Sequence, residues 1–362
     1  MKIFFMITGL GVGGAERQVL DLADRLNDLG HTIKICYMTG PVLLRPKSND
    51  IELIGLNLQK SLSGLVRSIF ELKSIIRTFD PDVVHAHMVH ANLFSRLMRL
   101  VCPMKKLVNT AHSTNEGGKA RMLAYRWTHS LADVNTNVTA RAVQVYEEKK
   151  AIPVGGMIAV SNGIDTDIFK IDNDARSKIR EFHGVSEHEK VILAVGRLAP
   201  AKDYENLITS FHLLSSKIAD TKLWIIGEGN ERQKLIELVN SLGISSKVVF
   251  LGVRSDVASF YNAADLYVLS SAWEGFGLVV AEAMASEKVV VATDCGGVSE
   301  VVGECGYLVT PKNAQALMAA MDKALRLTAD EAALLGRTAR YRVLENYSID
   351  KIVKVWEGIY FS

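Results

Sequence analysis

Short apolar runs alternate with longer amphipathic stretches along most of the chain. The apolar runs predict six strands in the first half, at residues 3–8, 32–38, 83–87, 106–111, 134–137 and 157–160. Six more strands are predicted in the second half, at residues 191–195, 222–226, 248–251, 264–270, 289–292 and 306–309. Helical spacing between the first-half strands predicts helices at residues 15–29, 65–79, 92–101, 119–130 and 140–149. This alternation is typical of an α/β fold, in which helices cover both faces of a parallel sheet.

Length and turn residues indicate two domains. A chain of 362 residues is longer than a single core usually accommodates. The turn-rich segment Ser161–Phe169 interrupts the alternation and is the expected boundary. We therefore expect domains at residues 1–165 and 166–345, followed by a carboxy-terminal helix at residues 346–362. The apolar face of that helix needs a surface on which to pack.

Composition is that of an ordinary globular protein, with 48% hydrophobic and 23% charged residues. No apolar stretch reaches the roughly 18 residues that a membrane span requires. The four cysteines form no Cys-x-x-Cys pair, which favours reduced thiols in the cytoplasm and argues against zinc. The apolar run at the amino terminus leads into glycines and predicts a buried strand, so we do not expect a signal peptide.

Two glutamates, Glu274 and Glu282, flank a run of seven small and apolar residues. Gly275 and Gly277 allow a sharp turn between the preceding strand and the next helix. Glu274 then lies on the loop at the carboxyl end of a strand, and Glu282 lies in the first turns of the next helix. Both face the crevice in which ligands of open α/β sheets bind. Carboxylates accept hydrogen bonds, so the pair predicts recognition of neutral sugar or ribose hydroxyls. Two solvated glutamates are the alternative that the pair alone leaves open.

A glycine-rich loop, Gly9–Gly14, follows the first predicted strand. Gly9, Gly11 and Gly14 match the G-x-G-x-x-G pattern of dinucleotide-binding proteins. A nicotinamide-dependent oxidoreductase also needs an acid at the end of the second strand, and none occurs at Cys36–Gly40. We therefore expect glycine backbone at a helix amino terminus to lie beside a diphosphate. A simple tight turn is the alternative.

Several second-half strands end in loops suited to a diphosphate. Arg197 and Lys202 follow the first of these strands, and two fixed cations there match two phosphates. Glycines at 227, 229, 296 and 297 would permit close backbone approach at the same edge of the sheet. Exposed charge in ordinary loops is the alternative for the two cations.

Histidines in the first half suggest a metal site, but the pattern is incomplete. His85 and His87 share one strand face, His90 lies beyond its end, and no carboxylate or cysteine completes a zinc set. We expect structural histidines at the strand end, with their hydrogen bonds made within the protein. The Asp165–Asp167 pattern lies among turn residues and is not expected to bind a metal. His112 lies at the end of another predicted strand and stays a candidate for chemistry.

Together these motifs resemble those of the retaining glycosyltransferases of family 4, which have two Rossmann-like domains facing a cleft, the GT-B fold. The family includes bacterial mannosyl-, galactosyl- and N-acetylhexosaminyltransferases. The resemblance runs nearly end to end, through residues 13–16, 112, 161–165, 196–202, 274–282 and 296–300. The chain departs from many relatives at Ser299, where they have proline; this change should affect loop stiffness rather than chemistry.

The resemblance implies a role for each matching residue. Arg197 and Lys202 would hold the donor diphosphate, Glu274 the sugar hydroxyls near C3 and C4, and His112 the region of the C6 hydroxyl. The implied nucleotide-sugar-binding residues are Gly13, Gly14, Gly252, Arg254, Phe276, Gly277, Leu278, Glu282, Gly296 and Gly297. Among them Glu282 would bind the ribose hydroxyls. The family generally needs no metal, no cofactor is expected, and its carboxy-terminal helix crosses back to the first domain.

The resemblance therefore predicts a retaining, metal-independent hexosyltransferase. It would move a hexose or N-acetylhexosamine from a nucleotide sugar, with UDP favoured, to a lipid-linked saccharide of bacterial O-antigen, capsule or exopolysaccharide biosynthesis. A polyprenyl-diphosphate saccharide is the expected acceptor. The alternatives are a GDP-mannose-dependent mannosyltransferase, an NAD-linked oxidoreductase and a non-catalytic sugar-nucleotide-binding protein.

The distribution of charge along the chain bears on whether the protein binds its acceptor at a membrane surface. Residues 1–170 contain 21 Lys and Arg against 15 Asp and Glu, a balance of +6, whereas the remainder contains 21 against 25, a balance of −4. The stretches 62–79 and 93–106 interleave basic and apolar residues. They predict either ordinary amphipathic helices or reversible docking on an anionic membrane face. We expect a cytoplasmic protein, peripheral at the inner face of the cell membrane, with no nucleic-acid partner.

Overall fold

The computed structural model describes residues 1–59, 61–114 and 117–362. The chain forms two compact units. Unit 1 comprises Met1–Gly163 together with Ile349–Ser362, and unit 2 comprises Ile164–Ser348. The turn-rich segment at 161–169 therefore contains the first crossing between the units.

Unit 1 contains a seven-stranded sheet and six α-helices in its described residues. Its strands are β1 (Lys2–Ile7), β2 (Thr32–Tyr37), β3 (Glu52–Gly55), β4 (Val83–His87), β5 (Leu107–Ala111), β6 (Val134–Asn137) and β7 (Ile158–Ala159). The first five helices are α1 (Gly14–Asp28), α2 (Leu62–Phe79), α3 (Val89–Arg99), α4 (Lys119–Thr128) and α5 (Ala140–Glu148). A 3₁₀ turn, His129–Leu131, follows α4.

All pairings in this sheet are parallel, in the order β3-β2-β1-β4-β5-β6-β7. Successive residues of β1 point to opposite faces, so both faces are buried. Ile3 and Phe5 pack with α1 and the carboxy-terminal segment, whereas Phe4 and Met6 pack with α2 and α3. Helix α4 packs against α3 and so lies on the same side of the sheet as α2.

Unit 2 contains a six-stranded parallel sheet. Its strands are β8 (Lys190–Val195), β9 (Thr221–Ile226), β10 (Val248–Gly252), β11 (Leu266–Leu269), β12 (Val289–Thr293) and β13 (Tyr307–Val309). Its helices are α6 (Asn173–Phe182), α7 (Tyr204–Ser215), α8 (Arg232–Ser241), α9 (Val257–Ala263), α10 (Leu278–Ala285), α11 (Val298–Val302), α12 (Ala314–Leu325) and α13 (Ala329–Asn346). The last helix of the chain, α14 (Ile349–Phe361), belongs to unit 1.

The strand order in unit 2 is β10-β9-β8-β11-β12-β13. One face packs against α7, α8 and α12 through residues such as Leu223 and Ile225. On the other face, Trp224 contacts Phe260 of α9, with ring centroids 5.8 Å apart. In both sheets the chain reverses its direction of winding beside the first strand, between β1 and β4 and between β8 and β11. Ligands of doubly wound sheets bind at such switch points.

The predicted α/β architecture with two parallel, Rossmann-like sheets is confirmed, and each predicted strand is present within a few residues of its expected bounds. Strand β3 was not predicted. It has four residues at the sheet edge, and their partial burial lacks the alternation or continuous apolar run by which strands are recognised. Helix α14 buries Ile352, Val353 and Trp356 in the core of unit 1.

Candidate active site

The switch point of unit 2 brings together two of the predicted catalytic side chains. Lys202 follows β8 on a 3₁₀ turn, Pro200–Lys202, and Glu274 lies on the loop after β11. Because β8 and β11 are neighbours, their carboxyl ends are adjacent. The Lys202 Nζ donates to Glu274 Oε1 over 2.5 Å. Both side chains are mostly shielded, with 20% and 13% of their surfaces exposed.

The Glu274 carboxylate is held on one side. Its Oε1 also accepts a hydrogen bond from Ser271 Oγ at 2.7 Å. Ser271 is held in turn, since Thr293 Oγ1 donates to its carbonyl at 2.7 Å. In the described part of the chain no partner contacts Oε2 of Glu274. That oxygen is therefore oriented and available to accept hydrogen bonds from a ligand hydroxyl.

Backbone hydrogen bonds join five loops along the carboxyl edge of this sheet. Strand β8 is linked to β9 by Gly196 N–H to Ile226 O, and the β9 and β10 ends by Gly227 N–H to Gly252 O. The β8 and β11 loops are linked by Ala272 N–H to Ala201 O, and the β11 and β12 loops by Gly297 N–H to Gly275 O. These bonds measure 2.8–3.1 Å. The predicted glycine loops thus form one continuous rim.

Gly296 is required at its place in this rim. Its φ is +60°, and a Cβ there would overlap the carbonyl oxygen of Glu274. Any other residue would displace the loop that carries Glu274. Gly277, with φ +87°, ends the same loop and begins α10 without a side-chain cap. The first N–H groups of α10, beginning at Leu278, lack intrahelical partners, as at every helix start.

Glu282 lies in the second turn of α10 and is fixed by a buried tyrosine. Tyr261 OH lies 3.0 Å from Glu282 Oε2 and 3.0 Å from the carbonyl of Val279. Burial raises the pKa of Tyr261, and the neighbouring Glu282 raises it further, so the phenol stays protonated and can donate. Tyr261 was not predicted as a site residue, because a tyrosine among apolar residues is typical of an ordinary core position.

Arg197 lies on the loop between β8 and its 3₁₀ turn, next to the buried Leu198. Its side chain is exposed, and within the described residues it has no bonded partner. The backbone beside it is fixed, since Leu198 N–H donates to the carbonyl of Glu228 at 2.9 Å. A free guanidinium on a fixed loop, five residues from Lys202, is an available anion ligand.

Two predicted binding residues have side chains that are already engaged. Arg254 forms a two-bond ion pair with Asp256, at 2.8 Å for each bond, and stacks over Phe260. Phe276 is 3% exposed and packs edge-on against Tyr347. Ligand contacts from Phe276 therefore have to come from its backbone.

The remaining predicted residues lie in unit 1, at the carboxyl ends of β1 and β5. Gly13 precedes α1 and Gly14 is its first residue; a Cβ on Gly13 would overlap the Glu16 carboxylate. His112 directly follows β5, and its Nε2 lies 3.0 Å from His87 Nδ1. Burial lowers the pKa of His112 to about 4, so its ring is neutral at pH 7.

The three histidines at and beyond β4 differ in environment. His85 and His87 are buried side by side on β4, with ring centroids 4.0 Å apart, whereas His90 is exposed on α3. Residues 1–59, 61–114 and 117–362 contain no group of three or more His, Cys, Asp or Glu side chains arranged to hold a metal ion. In the same residues no helix is both long enough and apolar enough to cross a membrane.

Two family models match almost the whole chain between them. Residues 12–168 match Glycosyltransferase Family 4, and residues 175–342 match Glycosyl transferases group 1. An uncharacterised glycosyltransferase of Methanocaldococcus jannaschii is 31% identical, covering 77% of this chain and 75% of its own. The N-acetyl-α-D-glucosaminyl L-malate synthase of Bacillus anthracis is 29% identical, covering 78% and 74%.

Two further similarities are more distant. An Escherichia coli enzyme, UDP-Gal:α-D-GlcNAc-diphosphoundecaprenol α-1,3-galactosyltransferase, is 22% identical over 83% of this chain and 81% of its own. The crystal structure of HepE from Anabaena in complex with UDP and glucose superposes with a TM-score of 0.86, at 21% identity, over 99% of both chains. At that identity the structural likeness establishes the fold alone.

Proposed function

Because this chain belongs to the family 4 glycosyltransferases, which have two Rossmann-like domains in the GT-B fold, we propose that it transfers a hexose or N-acetylhexosamine from a UDP-sugar to a lipid-linked saccharide. The family membership excludes the NAD-linked oxidoreductase alternative. The observation that carries the proposal is the Lys202–Glu274 pair at the switch point of unit 2. Arg197, on the same loop as Lys202, has no bonded partner among the described residues.

The proposed chemistry is transfer with retention at the anomeric carbon. The bond from that carbon to the diphosphate oxygen breaks, and a bond to the acceptor hydroxyl oxygen forms on the same face. The acceptor proton goes to the departing diphosphate oxygen. The protons therefore balance without a metal or a protein base. Arg197, Lys202 and the amino terminus of α10 stabilise the negative charge that develops on the diphosphate.

The acids have the complementary task. Glu274 accepts hydrogen bonds from the sugar hydroxyls through Oε2, and Glu282 accepts them from the ribose. Lys202 already donates a hydrogen bond to Glu274. When the donor binds, the lysine therefore interacts with both the Glu274 carboxylate and the donor phosphate. We also propose donor contacts from Gly296, Gly297, Gly277 and Leu278 in the rim. Gly252 and Arg254 then contribute backbone at the base edge, and Gly13, Gly14 and His112 of unit 1 contribute at the phosphate and the sugar.

We call Arg197 and Lys202 the charge clamp, and the double variant Arg197→Ala, Lys202→Ala tests it. Removing preorganised charge from a transition state costs about 100-fold or more in turnover. We expect at least that loss in the release of UDP from the preferred UDP-sugar. The matched control is Lys217→Ala, Arg337→Ala, two exposed cations of the same unit without bonded partners in the described residues. Unchanged turnover in the clamp variant overturns the proposal.

The donor is identified by thermal shift against a panel of UDP- and GDP-sugars. A ligand that binds only the folded state stabilises it by about 2.7 kcal/mol at 100 times its Kd. We expect the largest shift with a UDP-sugar. A larger thermal shift with GDP-mannose would assign the chain as a mannosyltransferase. The proposed roles of Arg197 and Lys202 would be unaffected.

The lipid-linked acceptor is supported by one surface of unit 1, which we call the basic helical face: the outer sides of α2, α3 and α4. These three helices contain eight Lys and Arg, of which Arg96 is buried and seven remain for the surface, and one acid, Glu71. Large apolar side chains are exposed among the charges, including Phe70 at 67% and Trp127 at 73%. The other exposed apolar residues of this face are Leu65, Val66, Leu97 and Leu123, and the exposed Leu100 and Val101 directly follow α3.

This combination fits an anionic lipid surface. Each cation near such a surface contributes about 1 kcal/mol, and exposed aromatic rings partition into the headgroup region. The E. coli relative is named for an acceptor on diphosphoundecaprenol, which is a membrane lipid. The B. anthracis relative is named for a malate product, so a small soluble acceptor is the competing class.

Flotation with vesicles that contain one-third phosphatidylglycerol separates these classes. We expect binding that weakens with salt and is lost in Phe70→Ser, Trp127→Ser. The matched control is Phe182→Ser, Tyr341→Ser, which removes two equally exposed aromatic rings of unit 2, at 83% and 70%. Absence of vesicle binding at low salt by the unaltered protein counts against the lipid-linked acceptor, while the clamp experiment still tests the transferase.

A further inference from the structure

Three histidine rings lie in a row from the core of unit 1 to the end of β5. His85 stacks on His87 with centroids 4.0 Å apart, and His87 Nδ1 lies 3.0 Å from His112 Nε2. His85 and His87 are fully buried, whereas His112 is half-buried. The row therefore links the interior to a residue of the proposed donor site.

His85 is the fixed end of this row. Its Nδ1 bonds to Tyr360 OH at 2.7 Å, and its Nε2 bonds to Thr110 Oγ1 at 2.6 Å. The Trp356 ring of α14 also stacks against it, with centroids 4.5 Å apart. With both nitrogens bonded and the ring stacked, His85 has one orientation and supports the ring of His87.

The His87–His112 bond contains a single proton. Burial lowers the pKa of both rings, so both are neutral, and one N–H must point at the lone pair of the other ring. The second nitrogen of His87, Nε2, is buried without a partner in the described residues. A proton on it would create an orphaned buried N–H group, which is rarer in proteins than an orphaned acceptor.

The proton of His87 therefore belongs on Nδ1, where it is donated to His112 Nε2. His112 must then be protonated on its other nitrogen, Nδ1. That atom has no bonded partner in the described residues and is not among their buried unpaired atoms. It is thus the nitrogen of His112 that remains for a hydrogen bond to a ligand.

We propose that His87 is a positioning residue that fixes the tautomer of His112, so that His112 presents an Nδ1–H donor to a hydroxyl of the donor sugar. The inference rests on the proposed function and adds a direction to it: His112 donates a hydrogen bond and does not act as a base. The sequence pattern predicted both strand histidines to be structural. In this proposal their roles differ, since His85 supports the ring of His87 and His87 orients His112.

Long-range ¹H–¹⁵N NMR of the ¹⁵N-histidine-labelled protein tests the tautomer without any substrate. Resonances are assigned by single-histidine variants. We expect His112 as the Nδ1–H tautomer and His87 likewise, both unchanged from pH 8 to pH 6. An Nε2–H tautomer at His112 overturns the proposal.

Kinetics test the consequence, with UDP release from the UDP-sugar chosen by the thermal screen. His87→Leu removes the donor, and we expect at least a tenfold loss in kcat with a smaller change in KM. His87→Asn keeps an N–H near the Nδ1 position, and we expect it to recover most of the loss. The control is His90→Asn, an exposed histidine of α3. Melting temperatures without substrate show whether each variant is folded.

His112→Ala separates the two proposals. If His112→Ala retains full activity, the proposed role of His112 is wrong although the tautomer stands. If His112→Ala loses activity while folded His87→Leu and His87→Asn both match the unaltered protein, the positioning role of His87 is wrong. Equal losses in His87→Leu and His87→Asn at unchanged stability also overturn it, because the donor group then makes no difference.

Discussion

Glu282 is a carboxylate whose position is fixed by one buried side chain. The single hydroxyl proton of Tyr261 is shared between Glu282 Oε2 and the Val279 carbonyl, both 3.0 Å away. The carboxylate is thereby held in the second turn of α10, the helix that follows the loop of Glu274. If Glu282 binds the donor ribose, this contact is the same before and during transfer, so its loss should weaken binding and spare turnover.

We therefore expect Tyr261→Phe to raise the KM for the UDP-sugar about three- to tenfold, with kcat within twofold. This range corresponds to the roughly 0.5–1.5 kcal/mol that a typical intramolecular hydrogen bond contributes. Comparing the UDP-sugar with its 2′-deoxyribose analogue, in both proteins, completes a double-mutant cycle. If the free-energy changes caused by Tyr261→Phe and by the deoxy donor are additive, Tyr261 does not act through the ribose.

Residues of the site were predictable where they interrupt an apolar pattern. Lys202, Glu274 and the glycines follow strand ends, and the topology places those ends side by side. The pattern gave no sign of Tyr261 or Ser271, whose role depends on contacts with residues 3 to 21 positions away. Nor did it show that the Phe276 side chain is buried, because an aromatic residue in a glycine-rich loop occurs in both core and ligand sites.

At the scale of elements, Asp265 joins α6 to the sheet of unit 2. Its carboxylate accepts from Arg176 Nη2 at 2.8 Å, Arg180 Nη1 at 3.1 Å and the Val191 N–H at 2.8 Å. Burial would raise the pKa of Asp265, but the Val191 bond and the two arginines outweigh it, and the net pKa is lowered. The Arg180 side chain is 8% exposed, so it depends on this partner.

Asp265→Asn should lower the free energy of unfolding of unit 2 by about 3 kcal/mol at pH 7, the scale of breaking a buried pair. A lowered folded-state pKa stabilises the fold above the unfolded value of about 3.9, and this stabilisation is lost as the pH falls through the folded-state pKa. The difference between the two proteins should therefore shrink below about pH 4. Urea titration of Trp224 fluorescence measures it.

Asp256→Asn is the matched control for Asp265→Asn. Asp256 pairs with Arg254 at 2.8 Å, but both side chains are about 40% exposed. A pair at the surface contributes at most about 1 kcal/mol. A loss in Asp256→Asn as large as that in Asp265→Asn contradicts the argument from burial.

Elements were predictable to the extent that burial marks them. Strand β12 is buried at every position and reads as a continuous apolar run, as parallel strands do. Helix α3 begins at Val89, three residues before its predicted start, because Met88 turns the chain with φ +72° immediately after β4. Such a turn without glycine or proline leaves no signal in the sequence.

At the scale of the whole molecule, the two units depend on different ionisable groups. Unit 1 contains three shielded histidines, His85, His87 and His112, whose pKa values are all lowered by burial. In the described residues of unit 2, His183 is the one histidine with a lowered pKa, and it is only partly buried. The net charge of +2 conceals this difference, as it conceals the opposite charges of the two halves.

Unit 1 should therefore lose stability first as the pH falls from 6.5 towards 4. In that range the unfolded chain binds protons at these histidines and the folded unit does not, so each contributes a loss of about 1.4 kcal/mol per pH unit. Each unit contains one buried tryptophan, Trp356 at 3% exposure and Trp224 at 1%. With 5-fluorotryptophan, ¹⁹F NMR in urea follows both units in one sample.

Between pH 7 and pH 5 we expect the urea midpoint at Trp356 to fall further than the midpoint at Trp224. Exchanging the exposed His90 for Asn should reduce that difference only slightly, because partial burial and Arg121 lower the pKa of His90 less than full burial lowers that of His85. Replacing His85 by Phe should reduce it, since one proton-linked contribution disappears even if the variant is less stable at pH 7. A midpoint at Trp224 that falls first would mean that the histidine row is not what makes this protein sensitive to acid.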